Sequence, residues 1–296
     1  MTHVTVVVPT RNRPLPLARC LAALAHQQAI GAYEIVVVDD ALGGDPATAD
    51  VVAQGSRARL VRTGGAGAAT ARNAGAAAAR GTFILFTDDD CAPAPTWAAR
   101  LLAALGEAQV AGGRTENGVP GDPFVAASEA IRDHLERWAR DHPRLPFVAS
   151  NNMACRRELV LDVPFDESYV GAGGEDRDWC ARVGLRGARF AYADDAVVTH
   201  LPAIGLAGFW RQQVRYGRGA YRFGSSAGSG RRFQQPAFYV GIIRRGFADG
   251  VSPGCSSCSP RPQPRQAFCA KLHRSGRASG PATLRARALA AARPAA

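Results

Sequence analysis

Residues 82–91 read TFILFTDDDC. The apolar run Phe83-Ile84-Leu85-Phe86 has the length and the aromatic and β-branched character of a buried strand. It stops at three consecutive carboxylates, Asp88, Asp89 and Asp90. Like charges so close repel, and each raises the pKa of its neighbour. Such a cluster is cheap only if it is solvated or faces a cation. Taken alone, it reads as a polar turn after a strand.

Working outward, the residues before it repeat one pattern. Val4–Val8 is a β-branched run that ends in Pro9-Thr10-Arg11-Asn12-Arg13. Leu17, Cys20, Leu21 and Leu24 follow at helical spacing. Residues 34–38, EIVVV, form a second buried run ending at Asp39-Asp40. A short helix to about residue 54, a weaker strand at 59–61 and an Ala-rich helix over 68–80 carrying Arg72 come next. Strands alternating with helices predict a mostly parallel sheet flanked by helices, the α/β class. In such sheets ligands bind at the carboxyl ends of the strands. Three strands end here in chemistry-bearing residues, so Asp88–Asp90 becomes one wall of a site.

The second half is less regular. The spacing predicts a helix over 97–105, a strand at 109–112, an amphipathic helix over 124–140 with a surface or acceptor-cleft His134, and a strand over 147–153 entering a polar corner. A glycine-rich loop then delivers two acids, Glu175 and Asp176, to a helix start that has Asp178 in its first turn. Two short strands, 189–192 and 196–198, lead to His200. Acids in a first turn also complement the helix dipole, which suffices to explain Asp178. Trp97, Trp179 and Trp210 read as core or rim packing.

Composition sets the bounds. Apolar residues make up 47% and charged residues 21% of the 296, as in a globular chain. No apolar stretch approaches the roughly 20 residues of a membrane span. With no visible signal region, the expectation is a cytoplasmic protein whose seven cysteines are reduced. Residues 1–202 carry 20 Arg and no Lys against 24 Asp and Glu, net −4. Residues 203–296 carry 16 Lys and Arg against Asp249 alone, net +15. The basic character belongs to the tail, so no specific nucleic acid is expected. Within that tail Arg211, Arg215, Arg218 and Arg222 share one face of an aromatic helix, which suggests contact with an anionic membrane surface or a lipid-phosphate acceptor. From about residue 251 periodicity is lost and disorder is expected. The Cys255/Cys258 pair has no second pair that would make it a zinc site.

Seven pieces, VTVVVPTRNR, EIVVVDD, GAGAATARNAGAAAARG, FILFTDDDC, SNNMACRR, GGEDRDWCARVGLRG and VVTH, stand in order over about residues 3–202. Together they resemble a family-2 glycosyltransferase of the GT-A fold. The resemblance implies a catalytic domain over 1–202, followed by a basic helical appendage (203–250) and a tail (251–296). It implies an inverting transfer from a nucleotide-diphosphate sugar, with UDP favoured, to an acceptor hydroxyl in glycoconjugate synthesis. Pro9, Thr10, Arg11, Arg13, Asp39, Asp40, Arg72, Asp88 and Asp89 would bind the nucleotide-sugar. Asp90 and His200 would ligate Mn2+ or Mg2+, the imidazole favouring Mn2+. Asp176 would be the catalytic base, with Glu175 contacting the acceptor. A non-catalytic sugar- or nucleotide-binding protein, or a sugar nucleotidyltransferase, would share this sheet.

Overall fold

The first strand, β1 (Val4–Thr10), sends Val4, Val6 and Val8 to one face of a sheet and Val7 to the other, and all four are fully buried. Both faces therefore need cover, and the β-branched residues without polar alternation follow from that. In the computed structural model, which describes residues 3–226 apart from 56, 107, 143–145 and 172, together with a few positions between 237 and 244, helices supply it.

On one face, the Leu17-Cys20-Leu21-Leu24 stripe of α1 (Pro14–Ala25), Val52 of α2 (Pro46–Ala53) and Trp97 and Leu101 of α4 (Trp97–Leu105) pack on Val4, Val6, Val8, Ile35 and Val37. On the other, α3 (Ala68–Ala78), α6 (Arg157–Asp162) and α7 (Glu175–Leu185) cover Val7, Val36, Val38, Ile84 and Phe86. The eight strands run in the order β3-β2-β1-β4-β7-β6-β8-β5. The new strands are β2 (Tyr33–Asp39), β3 (Ala58–Arg62), β4 (Phe83–Phe86), β5 (Cys91–Pro93), β6 (Val110–Asn117), β7 (Met153–Arg156) and β8 (Phe190–His200). Pairs β3-β2, β2-β1, β1-β4 and β6-β8 are parallel, and β4-β7, β7-β6 and β8-β5 are antiparallel.

Several expectations change in the second half. Residues 147–149 are buried but not in the sheet. Phe147 and Ala149 pack on Ala139 and Leu135 of α5 (Pro123–Asp141), a 3-10 turn takes Ser150–Asn152, and the strand β7 comes after the corner. The two short strands expected at 189–192 and 196–198 are one, β8. Its register against β6 jumps from Gly113↔Ala193 to Arg114↔Val197, so the polar Asp194-Asp195 bulges outward without ending the strand. His134 is not on the surface: it is buried, its ring 4.9 Å from Phe238. Trp97 and Trp179 are both core residues, and Trp97 Nε1 donates to Asn152 Oδ1 at 2.8 Å. The helix α8 (Leu206–Ser226) lies against the loop before α7. A Cβ on Gly219 would stand 1.5 Å from the Gly173 carbonyl oxygen. The segment from 251 on, with Cys255 and Cys258, lies outside the described residues.

Helix α3 sits unusually close to the sheet because its contact face is alanine and glycine. A Cβ on Gly75 would meet Val7 Cγ1 at 2.3 Å and Val38 Cγ2 at 3.2 Å. Gly75→Val should push α3 off β1 and cost about 3 kcal/mol. In thermal unfolding that is a Tm lower by roughly 6–12 °C for a chain of this size.

Candidate active site

The carboxyl ends of β1, β2 and β4 lie side by side, as the pairing Thr10↔Asp39 and Val7↔Phe86 requires. The three aspartates after β4 then turn in three directions. Asp89 is buried against β1, where it accepts from Thr10 Oγ1 at 2.7 Å and pairs with Arg13 at 2.9 Å. Asp90 pairs with Arg13 at 2.7 Å through one oxygen and faces His200 Nε2 at 3.3 Å through the other. Asp88, the most accessible of the three at 34%, pairs with Arg72 at 3.0 Å. Arg72 is buried on α3, and its second nitrogen reaches Glu175 at 2.7 Å. Sites nearly two hundred residues apart thus share one string of charge-assisted bonds.

The environments differ. Burial pushes the Asp89 carboxyl up to about 7, with Arg13 and Thr10 opposing and its two neighbouring aspartates adding. For Asp90 burial acts in the same upward direction, but the bonds from His200 and Arg13 outweigh it and hold the carboxyl well below the usual range. Burial would lower His200, yet its bonds to Asp90 and Glu129 carry it up to about 10. Asp90 is the fixed anion of the trio.

That anion is where a cation fits. Ligand atoms of Asp90, Cys91 and His200 lie within 4.8 Å of one another. Burial and the nearby aspartates raise the Cys91 thiol well above its ordinary value, so it stays protonated and is a poor ligand. A carboxylate with an imidazole is a donor set that suits Mn2+, and phosphate oxygens of a bound substrate can complete the shell. Asp90 and His200, 110 positions apart, meet because β5 pairs antiparallel with the end of β8, Cys91 opposite His200, and because Leu201 N donates to the Asp90 carbonyl at 2.8 Å. Pro93 disguised β5 in the sequence.

Asp176 stands at the start of α7, half-buried. Its oxygens accept from the amides of Ser150 at 3.2 Å and Arg177 at 2.8 Å. Burial, then the neighbouring Glu175 charge, push it up to about 6. Glu175 itself is buried against Arg72 and so braces that arginine; no acceptor contact is open to the oxygen that Arg72 holds. Asp178 pairs with Arg182 one turn on, as its first-turn position predicts.

On the β2 side, Asp39 is fully buried and accepts from the amides of Ala41 at 3.0 Å and Asp45 at 2.8 Å. Asp40 accepts from Thr63 Oγ1 and from the amides of Gly65, Ala66 and Gly67, with Arg11 4.0 Å away. Both acids fix the loops that frame the cleft, Asp40 tying 63–67 across the end of β2. Pro9 lies within β1 opposite Val38. Sequence reading missed Glu129, whose Oε1 is 2.7 Å from His200 Nδ1, and Asn152, which donates to the carbonyls of Arg114 and Ala196 and so ties β6 to β8. The available signal was that Glu129 and Glu136 fall on the buried side of α5, where an amphipathic helix should be apolar.

Over residues 5–163 the chain matches the family described as Glycosyl transferase family 2. It is 32% identical over 226 residues to the pre-mycofactocin glycosyltransferase of Mycobacterium tuberculosis (strain ATCC 25618 / H37Rv), covering 73% of this chain and 46% of that protein. It is 26% identical over 238 residues to the chondroitin synthase of Escherichia coli, covering 66% of this chain and 34% of that protein. The chain therefore spans half or less of the length of the curated relatives it matches. In fold it is similar to the mannosyltransferase PcManGT from Pyrobaculum calidifontis, solved in complex with GDP-Man and Mn2+. The TM-score is 0.59 at 21% identity, over 82% of this chain and 68% of that one. With the GT-A architecture, the clustered aspartates and these likenesses in agreement, the chain belongs to glycosyl transferase family 2.

Proposed function

We propose that this chain transfers a sugar from a nucleotide-diphosphate donor to an acceptor hydroxyl with inversion at the anomeric carbon. The observation that carries the reading is the convergence of Asp88–Asp90, Arg13, Arg72 and His200 at one end of the sheet, with Asp176 close enough to act on the Arg72 charge. Departure of the nucleoside diphosphate builds negative charge, and Arg13, already beside the cluster and 42% exposed, is a cation able to meet it. Asp90 and His200 would hold a divalent cation, which supplies Lewis-acid neutralisation of that same charge when bound. Asp88, the most accessible member of the trio, would turn from its pairing with Arg72 toward the donor's ribose or diphosphate side.

The proton of the acceptor hydroxyl needs a base, and Asp176 answers the requirement. Its two backbone amide bonds aim it, and a pKa near 6 leaves it ionised yet basic at neutral pH. A single base acting on a single displacement inverts the anomeric centre, with no covalent sugar intermediate. The donor favoured is a UDP-sugar; the GDP-Man held by PcManGT supports a GDP-sugar as the second reading.

The first test is release of free nucleoside diphosphate from a panel of UDP- and GDP-sugars. Release should depend on added Mn2+ or Mg2+, and Asp90→Ala should lower it at least about 100-fold, the scale of several kcal/mol of lost charge stabilisation. Cation-independent release would sink the metal half of the reading. The second is a pH profile. Because the Asp176 pKa is raised, its ionised form is lost as pH falls through about 6. kcat/KM should then drop tenfold per pH unit below that point. Asp176→Asn should lower kcat by about 10²–10⁴ while leaving nucleotide binding in place.

We infer as well a peripheral, cytoplasmic-side membrane setting with a lipid-linked acceptor, supported by α8. Its Leu206, Trp210, Val214 and Tyr221 form one exposed stripe, and Arg211, Arg215 and Arg218 form the next. Arg222 is exposed on the same side but is engaged with Ser168 and the Tyr169 ring. No described helix is long and apolar enough to cross a membrane. Arg215→Glu with Arg218→Glu should weaken sedimentation with phosphatidylglycerol vesicles by about 3 kcal/mol or more, on the scale of ~1 kcal/mol for each basic charge removed and again for each reversed. Unchanged sedimentation would remove the membrane from the proposal.

A further inference from the structure

The helix α5 lies outside the parallel half of the sheet and carries none of the residues expected to bind the nucleotide-sugar or the metal or to act as base. Yet its buried stripe holds Ser128, Glu129 and Glu136, with Arg132 between the two acids. Buried charges seldom repay their desolvation, and a well-packed apolar stripe would hold the helix as firmly. A cluster of this kind therefore calls for a use.

The geometry supplies one. His200 has two ring nitrogens, and both are spoken for. Nδ1 is 2.7 Å from Glu129 Oε1, and Nε2 is 3.3 Å from Asp90 Oδ1. A carboxylate can only accept, so the Nδ1 position must carry a hydrogen. Nε2 faces a carboxylate as well and so also carries a hydrogen here; a cation held with Asp90 would take the place of that hydrogen, while Glu129 keeps the one on Nδ1. The Glu129 carboxylate is itself held. Arg132 Nη1 lies 2.5 Å from Glu129 Oε2, while the other Arg132 nitrogen donates to the Thr115 carbonyl at 3.1 Å and to Asp133 at 2.7 Å. The brace runs from β6 through Arg132 and Glu129 to the imidazole. Rotation of the ring about its χ angles would break the Glu129 bond and leave Oε1 of a buried carboxylate without its imidazole partner.

We propose that Glu129 is a positioning residue that fixes the tautomer and orientation of His200 for binding a divalent cation jointly with Asp90. This rests on the metal reading given under the proposed function. A histidine ligand whose far nitrogen is held by a carboxylate binds metal more tightly, and loss of such a partner costs about 10–100-fold in affinity. Glu129 does this without touching the cation or the substrate.

The test is Mn2+ binding by the full chain, followed as loss of the free-ion signal in electron paramagnetic resonance with UDP or GDP present. Glu129→Leu should raise the Mn2+ Kd by about 10–100-fold. Glu129→Gln, whose amide oxygen can still accept from Nδ1, should raise it less. In a His200→Ala background, Glu129→Leu should add nothing, because the effect passes through the ring. An unchanged Kd in Glu129→Leu, or an equal loss with and without His200, would overturn the proposal, the second by showing a general loosening of α5. Should Glu129→Leu not fold, Glu129→Asp keeps the charge beside Arg132 and withdraws the carboxylate from His200 by one methylene. It carries the same expected loss and the same overturning result. A wild-type chain that takes up no Mn2+ with either nucleotide would overturn the metal reading itself, and so is told apart from failure of Glu129 alone.

Discussion

Three carboxylates on successive residues repel, and they are tolerated after β4 because their counter-charges arrive from three separate elements. Arg13 comes from the loop after β1, Arg72 from α3 and His200 from the end of β8. Each partner needs its own element seated on the sheet before it can reach. The cluster is thus satisfied only when the parallel half, the α3 layer and the antiparallel edge are all in place. Local charge repulsion is converted into a demand on the whole fold, which is how a site can be assembled from positions 13 to 200 without a contiguous motif.

The two halves of the sheet divide the work. The parallel strands β3, β2, β1 and β4 deliver backbone loops, and Asp39 and Asp40 spend their oxygens keeping those loops in shape. The antiparallel strands deliver single side chains across short distances. The β5-β8 pairing sets Asp90 beside His200, and the turn before β7 offers the Ser150 amide to Asp176. Cleft walls come from one half, and the charge-bearing tips from the other.

The same division explains what could be read from the chain alone. Runs such as Val4–Val8 and EIVVV are legible because a strand buried on both faces admits little except β-branched residues, and their polar ends mark the sheet edge. Asp88–Asp90 stand at that edge, where the strand pattern predicts them, and Arg72 of α3 reaches Asp88 there. Legibility fades where pairing overrides composition. Cys91–Pro93 forms a ladder in spite of its proline, Asp194-Asp195 interrupts the pattern of β8 without interrupting the strand, and residues 147–149 are apolar because Phe147 and Ala149 lie under α5 while Val148 packs into the core with α7. Glu129 was hidden for a different reason. A buried acid on a helix has no sequence signature apart from disturbing an apolar stripe, and its partner stands 71 residues away.

The bulge in β8 bears on more than the outline of the strand. Between Ala193 and Val197 the chain advances four residues while β6 advances one, so three residues are inserted relative to an unbroken ladder. Three is odd, and side chains in a strand alternate faces with a period of two. The insertion therefore inverts the phase of everything that follows, and it carries the strand three positions less far along β6. Without it, Val197 would stand opposite Asn117 where His200 now does, and the imidazole would leave from the opposite face of the sheet. Residues 194–196, two exposed aspartates and the buried Ala196, act as a phase shifter, setting by their number alone which side of the sheet receives the histidine.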